Sequence, residues 1–275
     1  MIKIDLHIHS RCSDGTYSPP DLVKEAKKRG ISVLSLTDHD TVEGTSAFLA
    51  ACRKYNIKCI SGVELSAQYP GTLHILGYRI DHKHEGFNRA LEEIRKHRNS
   101  RNLKIHKKLN EAGIKIDLDE IRAEAGGSVL ARPHFARTIV RNGYAKDIPS
   151  AFSKYLSRGA LAYEPGLRLE PQKCISLILE AGGLPVLAHP SQTTRDENVL
   201  DKLLLEMRSM GLWGMECIYP SHTPEEMFRC MKLASKHSLC FTAGSDFHGE
   251  NRQSKGMGIA VREDFLPWAR LGISL

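Results

Sequence analysis

Along the first residues of the chain, apolar side chains alternate with polar ones, with Ile2, Ile4, Leu6 and Ile8 on one parity. A period of two belongs to a β-strand, so Ile2–His9 reads as one. Pro19, Pro20 and Asp21 open a helix that runs through Lys28, and Gly30 stops it, as a glycine just past a helix end does. The run Ile31–Thr37, rich in β-branched residues, predicts a second strand, followed by a helix over Ser46–Tyr55. Further strands are expected over Lys58–Leu65 and Thr72–Ile80. This alternation predicts an α/β fold with a parallel sheet.

The middle of the chain has a different period. Phe87, Leu91 and Ile94 form an apolar stripe at helical spacing, which Ile105 and Leu109 resume. Between them Arg95–Asn102 interrupts the stripe with cations and amides. A helix over Asp119–Ala125 is expected to stop at Gly126–Gly127, with more helices around Arg132–Arg141 and Ile148–Leu156. Strands and helices then alternate again: a helix over Pro171–Ala181 closed by Gly182–Gly183, a strand over Leu184–Ala188, and a helix over Leu200–Met210. A strand over Gly214–Ile218, a helix over Pro224–Lys236 and a last core strand over Cys240–Ala243 complete the pattern. Residues 84–155 therefore read as a helical subdomain inserted into a barrel domain made of 1–83 and 156–275.

With 275 residues the chain can bury a sizeable core, and no apolar run approaches the ~20 residues needed to span a bilayer. The N-terminus reads straight into a strand without signal-peptide organisation, which predicts a cytoplasmic protein with no membrane partner. Seven cysteines lie scattered without C-x-x-C spacing, which predicts reduced, mostly buried thiols and argues against a thiolate zinc site. A net charge of +7 suits an anionic partner and says nothing of fold. No protein partner can be inferred.

The residues able to do chemistry gather at the expected strand ends, where catalytic groups converge in an α/β barrel. Strand one ends in His7-x-His9, followed by Asp14, and strand two in Thr37-Asp38-His39-Asp40. Glu64 ends strand three, His74 lies on strand four and His134 comes from the insertion. His189 precedes Pro190, and the last strand leads to Asp246-x-His248. In H-x-H and D-x-H pairs, residues i and i+2 share a strand face, so each pair can reach one ion or two adjacent ones. Imidazole nitrogen with carboxylate oxygen suits Zn²⁺, Mn²⁺ or Fe²⁺, and a carboxylate such as Glu64 can bridge two ions. A lone histidine at a strand end is usually a hydrogen-bonded core residue, but the joint pattern argues for a metal cluster. His97, His106 and His237, on charged helices, are expected to be exposed, and His82 and His84 to lie in a solvated turn.

Taken in order, H-x-H, Asp14, T-D-H-D-T (Thr37–Thr41), G-V-E (Gly62–Glu64), H-I-L-G-Y (His74–Tyr78), R-P-H (Arg132–His134), A-H-P (Ala188–Pro190) and G-S-D-F-H-G (Gly244–Gly249) resemble the PHP (polymerase and histidinol phosphatase) family. The resemblance implies a distorted (β/α)₇ TIM-like barrel holding two or three divalent ions. It implies a first ion on His7, His9, Glu64 and Asp246, a second on Glu64, His74 and His134, and a third on Asp14, His39 and His248. Where the family often has His, this chain has Asp14, itself a competent ligand. The insertion with its R-P-H, Gly159–Pro165 and Ile218–Glu225 resemble the branch that acts on nucleotides, whose members are nucleoside 3′,5′-bisphosphate phosphatases and 5′-3′ exoribonucleases.

The expected reaction is in-line attack on phosphorus by a metal-bridging hydroxide, which releases phosphate from a nucleotide or trims RNA from its 5′ end. Arg132 would clamp phosphate with its planar fork, and His189 and His222 would contact phosphate or protonate the leaving oxygen. Asp38 would orient His39 or another ligand, and Asp40 is expected to be a turn or cap residue. The basic run Arg95–Lys108 reads either as a solvated helix face or as a seat for a second phosphate or an RNA backbone. A histidinol-phosphate-type phosphatase and a noncatalytic metal- or nucleic-acid-binding module are the competing readings.

Overall fold

The computed structural model describes residues 1–125, 130–252 and 256–274, so the expected Gly126–Gly127 stop lies outside the described residues. The chain divides into two compact units, one of residues 1–89 with 168–275 and one of residues 90–167.

The first unit is built on strands β1 (Ile2–Ile8), β2 (Val33–Leu36), β3 (Lys58–Ser66), β4 (His74–Tyr78), β5 (Leu184–Leu187), β6 (Gly214–Ile218), β7 (Cys240–Ala243) and β8 (Ile259–Val261). They form one sheet in the order β7-β6-β5-β4-β3-β2-β1-β8. The sheet curls into a nearly closed barrel: past the end of β7, Phe247 pairs with Ile8, and the His9 N–H donates to the Phe247 carbonyl at 2.9 Å. Seven strands make the ring, and β8 pairs antiparallel with Ile2–Ile4 at the start of β1.

Packed on this sheet are α1 (Pro19–Lys28), α2 (Thr45–Tyr55), α7 (Pro171–Glu180), the short α8 (Pro190–Thr193), α9 (Glu197–Ser209) and α10 (Pro224–Lys236). Their limits follow from local chemistry. The Ser18 hydroxyl accepts from the Asp21 N–H ahead of α1, and Gly30 takes φ +70° beyond it. Thr223 and Glu226 cap α10 reciprocally, with Pro224 in its first turn. Ile8, Leu22, Val23, Leu34, Leu36 and Phe48 pack β1 and β2 against α1 and α2. Each such fully buried side chain contributes about 1.5–3 kcal/mol.

The second unit takes up most of α3 (Glu85–Glu111), with α4 (Leu118–Ala125), α5 (Arg132–Arg141), α6 (Ile148–Ala151) and a π-helical turn over Phe152–Leu156. It has its own core of Ile105, Leu109, Ile116, Ile121, Phe135, Ile139 and Leu156.

Several expectations need correction. The sheet is not parallel throughout, because β4 runs antiparallel to both β3 and β5. The helix expected over Leu200–Met210 starts at Glu197, because the Asp196 carboxylate accepts from the Asn198 and Val199 N–H groups. Strand β8 is three residues long, too short to show a period. The break in the α3 stripe does not break the helix, since Asn102 is buried and donates to the Leu130 carbonyl at 2.7 Å.

Candidate metal centre

On β1, Asp5 and His7 share one face with His9 beyond the strand end, while Ile4, Leu6 and Ile8 share the other, and both faces are buried. Burying three ionisable groups is costly unless each is paired or metal-bound, and that cost explains the rest of the site. After His9 the chain turns tightly, with the Ser13 and Gly15 N–H groups both donating to the Ser10 carbonyl. A Cβ on Gly15 would collide with the carbonyl of His9, so this turn, which delivers Asp14, needs a glycine. Asp38 braces it, accepting from the Ser10 N–H (2.7 Å) and from the Ser10 and Ser13 hydroxyls (both 2.6 Å).

His39 follows β2 and bridges to Glu64 on β3, where the Asp40 N–H donates to the Glu64 carbonyl at 2.9 Å. Asp40 is a turn residue at φ +52° whose carboxylate accepts the Ser66 N–H at 3.0 Å. His74 is the first residue of β4, paired with Ser66 at the end of β3. Because β4 is reversed, its first residue lies at the end of the barrel where the parallel strands finish. His189, just past β5, has φ +26°, and Asp246, past β7, has φ +56°.

Three groups of side chains result, each with ligand atoms within 4.8 Å of one another: His7, His9, Glu64 and Asp246; His39, Glu64 and His74; and His9, Asp14, His39 and His248. In the first, His9 Nε2 lies 3.2 Å from Glu64 Oε2 and 3.3 Å from Asp246 Oδ1, and His7 Nε2 lies 3.3 Å from Glu64 Oε2. In the second, Glu64 is 3.0 Å from His39 Nδ1 through one oxygen and 2.9 Å from His74 Nδ1 through the other. In the third, His248 Nε2 lies 3.2 Å from Asp14 Oδ1. His189 Nε2 is also 3.0 Å from Glu64 Oε1.

The donor set fits divalent ions. Among the described residues, buried side-chain atoms without a hydrogen bond include His7 Nε2, both ring nitrogens of His9, His39 Nδ1, Glu64 Oε2 and His248 Nε2. Buried polar atoms in proteins are almost always satisfied, and these converge on one spot, as ligands do. The electrostatics agree. Burial opposes charge on His9, yet the Asp246 and Glu64 carboxylates beside it raise its pKa to about 9. His39 is pushed well below the ordinary range, by burial first and then by His9 and His74 beside it. Burial opposes charge on Glu64 as well, but the surrounding histidines hold its carboxyl well below the usual range.

The remaining candidates have partners within their own units. In the second unit the Arg132 guanidinium donates to the Glu164 carbonyl at 2.6 Å and sits 5.0 Å over the Tyr163 ring, and His134 Nδ1 accepts the Ala131 N–H at 2.9 Å. In the first, His222 is buried, with Nδ1 3.2 Å from the Cys217 carbonyl. A carbonyl only accepts, so Nδ1 carries the proton, and burial lowers the affinity of the ring for a second one. Two histidines expected to be exposed are held: His106 Nε2 lies 2.9 Å from the Ile116 carbonyl and His237 Nε2 lies 2.7 Å from Asp201.

Sequence reasoning missed Asp5, Glu216 and Tyr219, all fully buried. Asp5 accepts from the Ser245 N–H and hydroxyl and from the Gly258 N–H, and burial pushes its carboxyl up to about 6. The Tyr219 hydroxyl donates to Asp246 Oδ2 at 3.0 Å. The signal was available: Asp5 shares the parity of His7 and His9, and Glu216 is a lone charge inside an apolar strand.

Comparison with known proteins agrees with this geometry. The PHP domain family model matches residues 5–130. A 3′,5′-nucleoside bisphosphate phosphatase of Chromobacterium violaceum is 33% identical over 98% of this chain and 95% of its own length. A 5′-3′ exoribonuclease of Haemophilus influenzae is 34% identical over 90% of both chains. A solved Chromobacterium violaceum structure, described as an amidohydrolase with bound sulfate, superposes with a TM-score of 0.87 at 32% identity, covering 98% of this chain and 95% of that one. The fold and site define a barrel enzyme that hydrolyses phosphate esters. The chain belongs to the PHP family of metal-dependent phosphoesterases.

Proposed function

We propose that this enzyme removes a phosphate group from a nucleotide, with the 3′-phosphate of a nucleoside 3′,5′-bisphosphate as the first candidate. The observation that carries the reading is Glu64, one buried carboxylate shared by two groups of candidate ligands. His7, His9, Glu64 and Asp246 would hold one ion, Glu64 and His74 with His134 a second, and Asp14, His39 and His248 a third, with Mn²⁺, Zn²⁺ and Fe²⁺ the ions the donors suit. Ions bound there acidify water and neutralise charge on phosphoryl oxygens. Arg132 offers a planar fork for phosphate, and His189 stands beside Glu64 to contact the same group. His222 presents Nε2 as a buried acceptor, which suits a substrate hydroxyl better than a phosphoryl oxygen. Residues 84–155 would choose the substrate.

The exoribonuclease relative supports a second substrate class, RNA trimmed from its 5′ end. The absence of a described helix long and apolar enough to cross a membrane, together with seven free thiols, supports a cytoplasmic setting. The test is phosphate release from adenosine 3′,5′-bisphosphate, AMP, histidinol phosphate and short 5′-phosphorylated RNA with added Mn²⁺. We expect the bisphosphate or the RNA to lead, and His7→Ala or Asp246→Ala to abolish turnover and reduce bound metal. Normal turnover in a metal-free His7→Ala protein would overturn the mechanism, and preference for histidinol phosphate would overturn the substrate class.

A further inference from the structure

Glu216 lies inside β6 with no exposed surface, and none of the ligand groups above includes it. Its two oxygens have different partners. Oε1 is 3.0 Å from His7 Nδ1, while Oε2 accepts the backbone N–H of His189 at 2.8 Å. The site is built to admit this carboxylate: a Cβ on Gly244 would collide with the Cβ of His7 and come within 2.6 Å of Glu216 Oε1. His189, for its part, holds a backbone conformation at φ +26° that side-chain-bearing residues avoid. Such a conformation persists only where its surroundings hold it, and the partner of the His189 N–H is the buried Glu216 carboxylate.

We propose that Glu216 is a positioning residue that sets two histidines of the centre at once. By accepting from His7 Nδ1–H it leaves Nε2 as the nitrogen aimed at Glu64 and Asp246. By holding the His189 N–H it keeps the β5 end in the turn from which the His189 ring reaches Glu64. Both partners are donors, so the position requires two acceptors at once. A carboxylate supplies them and an amide does not, because the NH₂ of a glutamine would face one of the two donors. The inference rests on the metal-centre reading above.

The experiment compares wild type with Glu216→Gln. Both proteins, stripped of metal, are titrated with Mn²⁺ while free ion is followed by electron paramagnetic resonance, and melting temperatures are measured in chelator. We expect the tightest Mn²⁺ site to weaken about 10–100-fold in the variant, while its metal-free melting temperature falls by only a few degrees for the one buried donor left unpaired. A variant that binds Mn²⁺ as wild type does overturns the inference and leaves the centre intact, whereas a wild type that binds none overturns both. If Glu216→Gln does not fold, ¹⁵N resonances of the histidines in zinc-loaded wild type decide. A proton on His7 Nδ1 and none on Nε2 sustains the assignment, and the opposite tautomer overturns it.

Discussion

Glu64 is surrounded by five imidazoles, those of His7, His9, His39, His74 and His189, each with a nitrogen within 3.3 Å of one of its oxygens. A carboxylate has about four lone-pair sites, so it cannot accept from five donors, and five buried imidazolium ions could not share one negative charge. Neutral rings fare little better, because His7, whose Nδ1 faces Glu216, and any ring beyond the carboxylate's capacity would set a lone pair against its oxygens. Divalent ions resolve both conflicts, which is why residues read singly as core histidines make sense only as a set. Burial has a simpler effect on the thiols. It pushes Cys174 and Cys230 up to about 12 each, so at pH 8 their reactive thiolate fraction is on the order of 10⁻⁴. Alkylation of these two by iodoacetamide at pH 8, mapped by mass spectrometry, should run at least ~100-fold slower in native than in urea-unfolded protein. Equal rates would show that α7 and α10 do not shield them.

At the scale of elements, the turn after β1 shows how backbone geometry delivers a ligand. Because a Cβ on Gly15 would collide with the His9 carbonyl, Gly15→Ala should cost about 1–3 kcal/mol in urea unfolding and lower metal binding through Asp14. Unchanged stability and metal uptake would show that the turn tolerates a side chain. Most elements were legible, since periods of two and 3.6 and their capping residues depend on short stretches of chain. The direction of β4 was not: HILGY reads the same in a parallel or an antiparallel strand, and only pairing with Ser61–Ser66 and Leu184–Leu187 decides. Among site residues, His7, His9 and His248 were legible because the H-x-H and D-x-H pairs mark them, and His39, His74 and His189 because each stands at a strand end. Glu216 carried only the weaker mark of a lone charge in an apolar strand, and Tyr219 carried none, because it acts through a partner remote in sequence.

At the scale of the molecule, the candidate ligands in the first unit come from β1, the end of β2, β3, β4 and the end of β7. Ions held there would tie together segments separated by more than two hundred residues of chain, and binding to the folded state alone stabilises it by mass action. Free Mn²⁺ at about 100 times its dissociation constant contributes roughly 2.7 kcal/mol, which should raise the melting temperature of metal-free protein by about 5–10 °C. Scanning calorimetry across Mn²⁺ concentrations measures this, and a melting temperature independent of the ion would argue against a centre of this kind.

The reversed strand has a consequence for how such a protein diversifies. Tyr78 at the end of β4 sits opposite Leu184 at the start of β5, as the two flanks of a hairpin do. To the sheet, everything from 79 to 183 is a hairpin loop, although it contains the second unit and α7. Loop closure becomes only about 0.6 kcal/mol more costly with each doubling of length. Lineages can therefore lengthen, trim or replace this excursion while the register of β4 on β5, and with it His74, stays where it is. His134, proposed above as a ligand of the second ion, is the part of the excursion that such changes would have to keep.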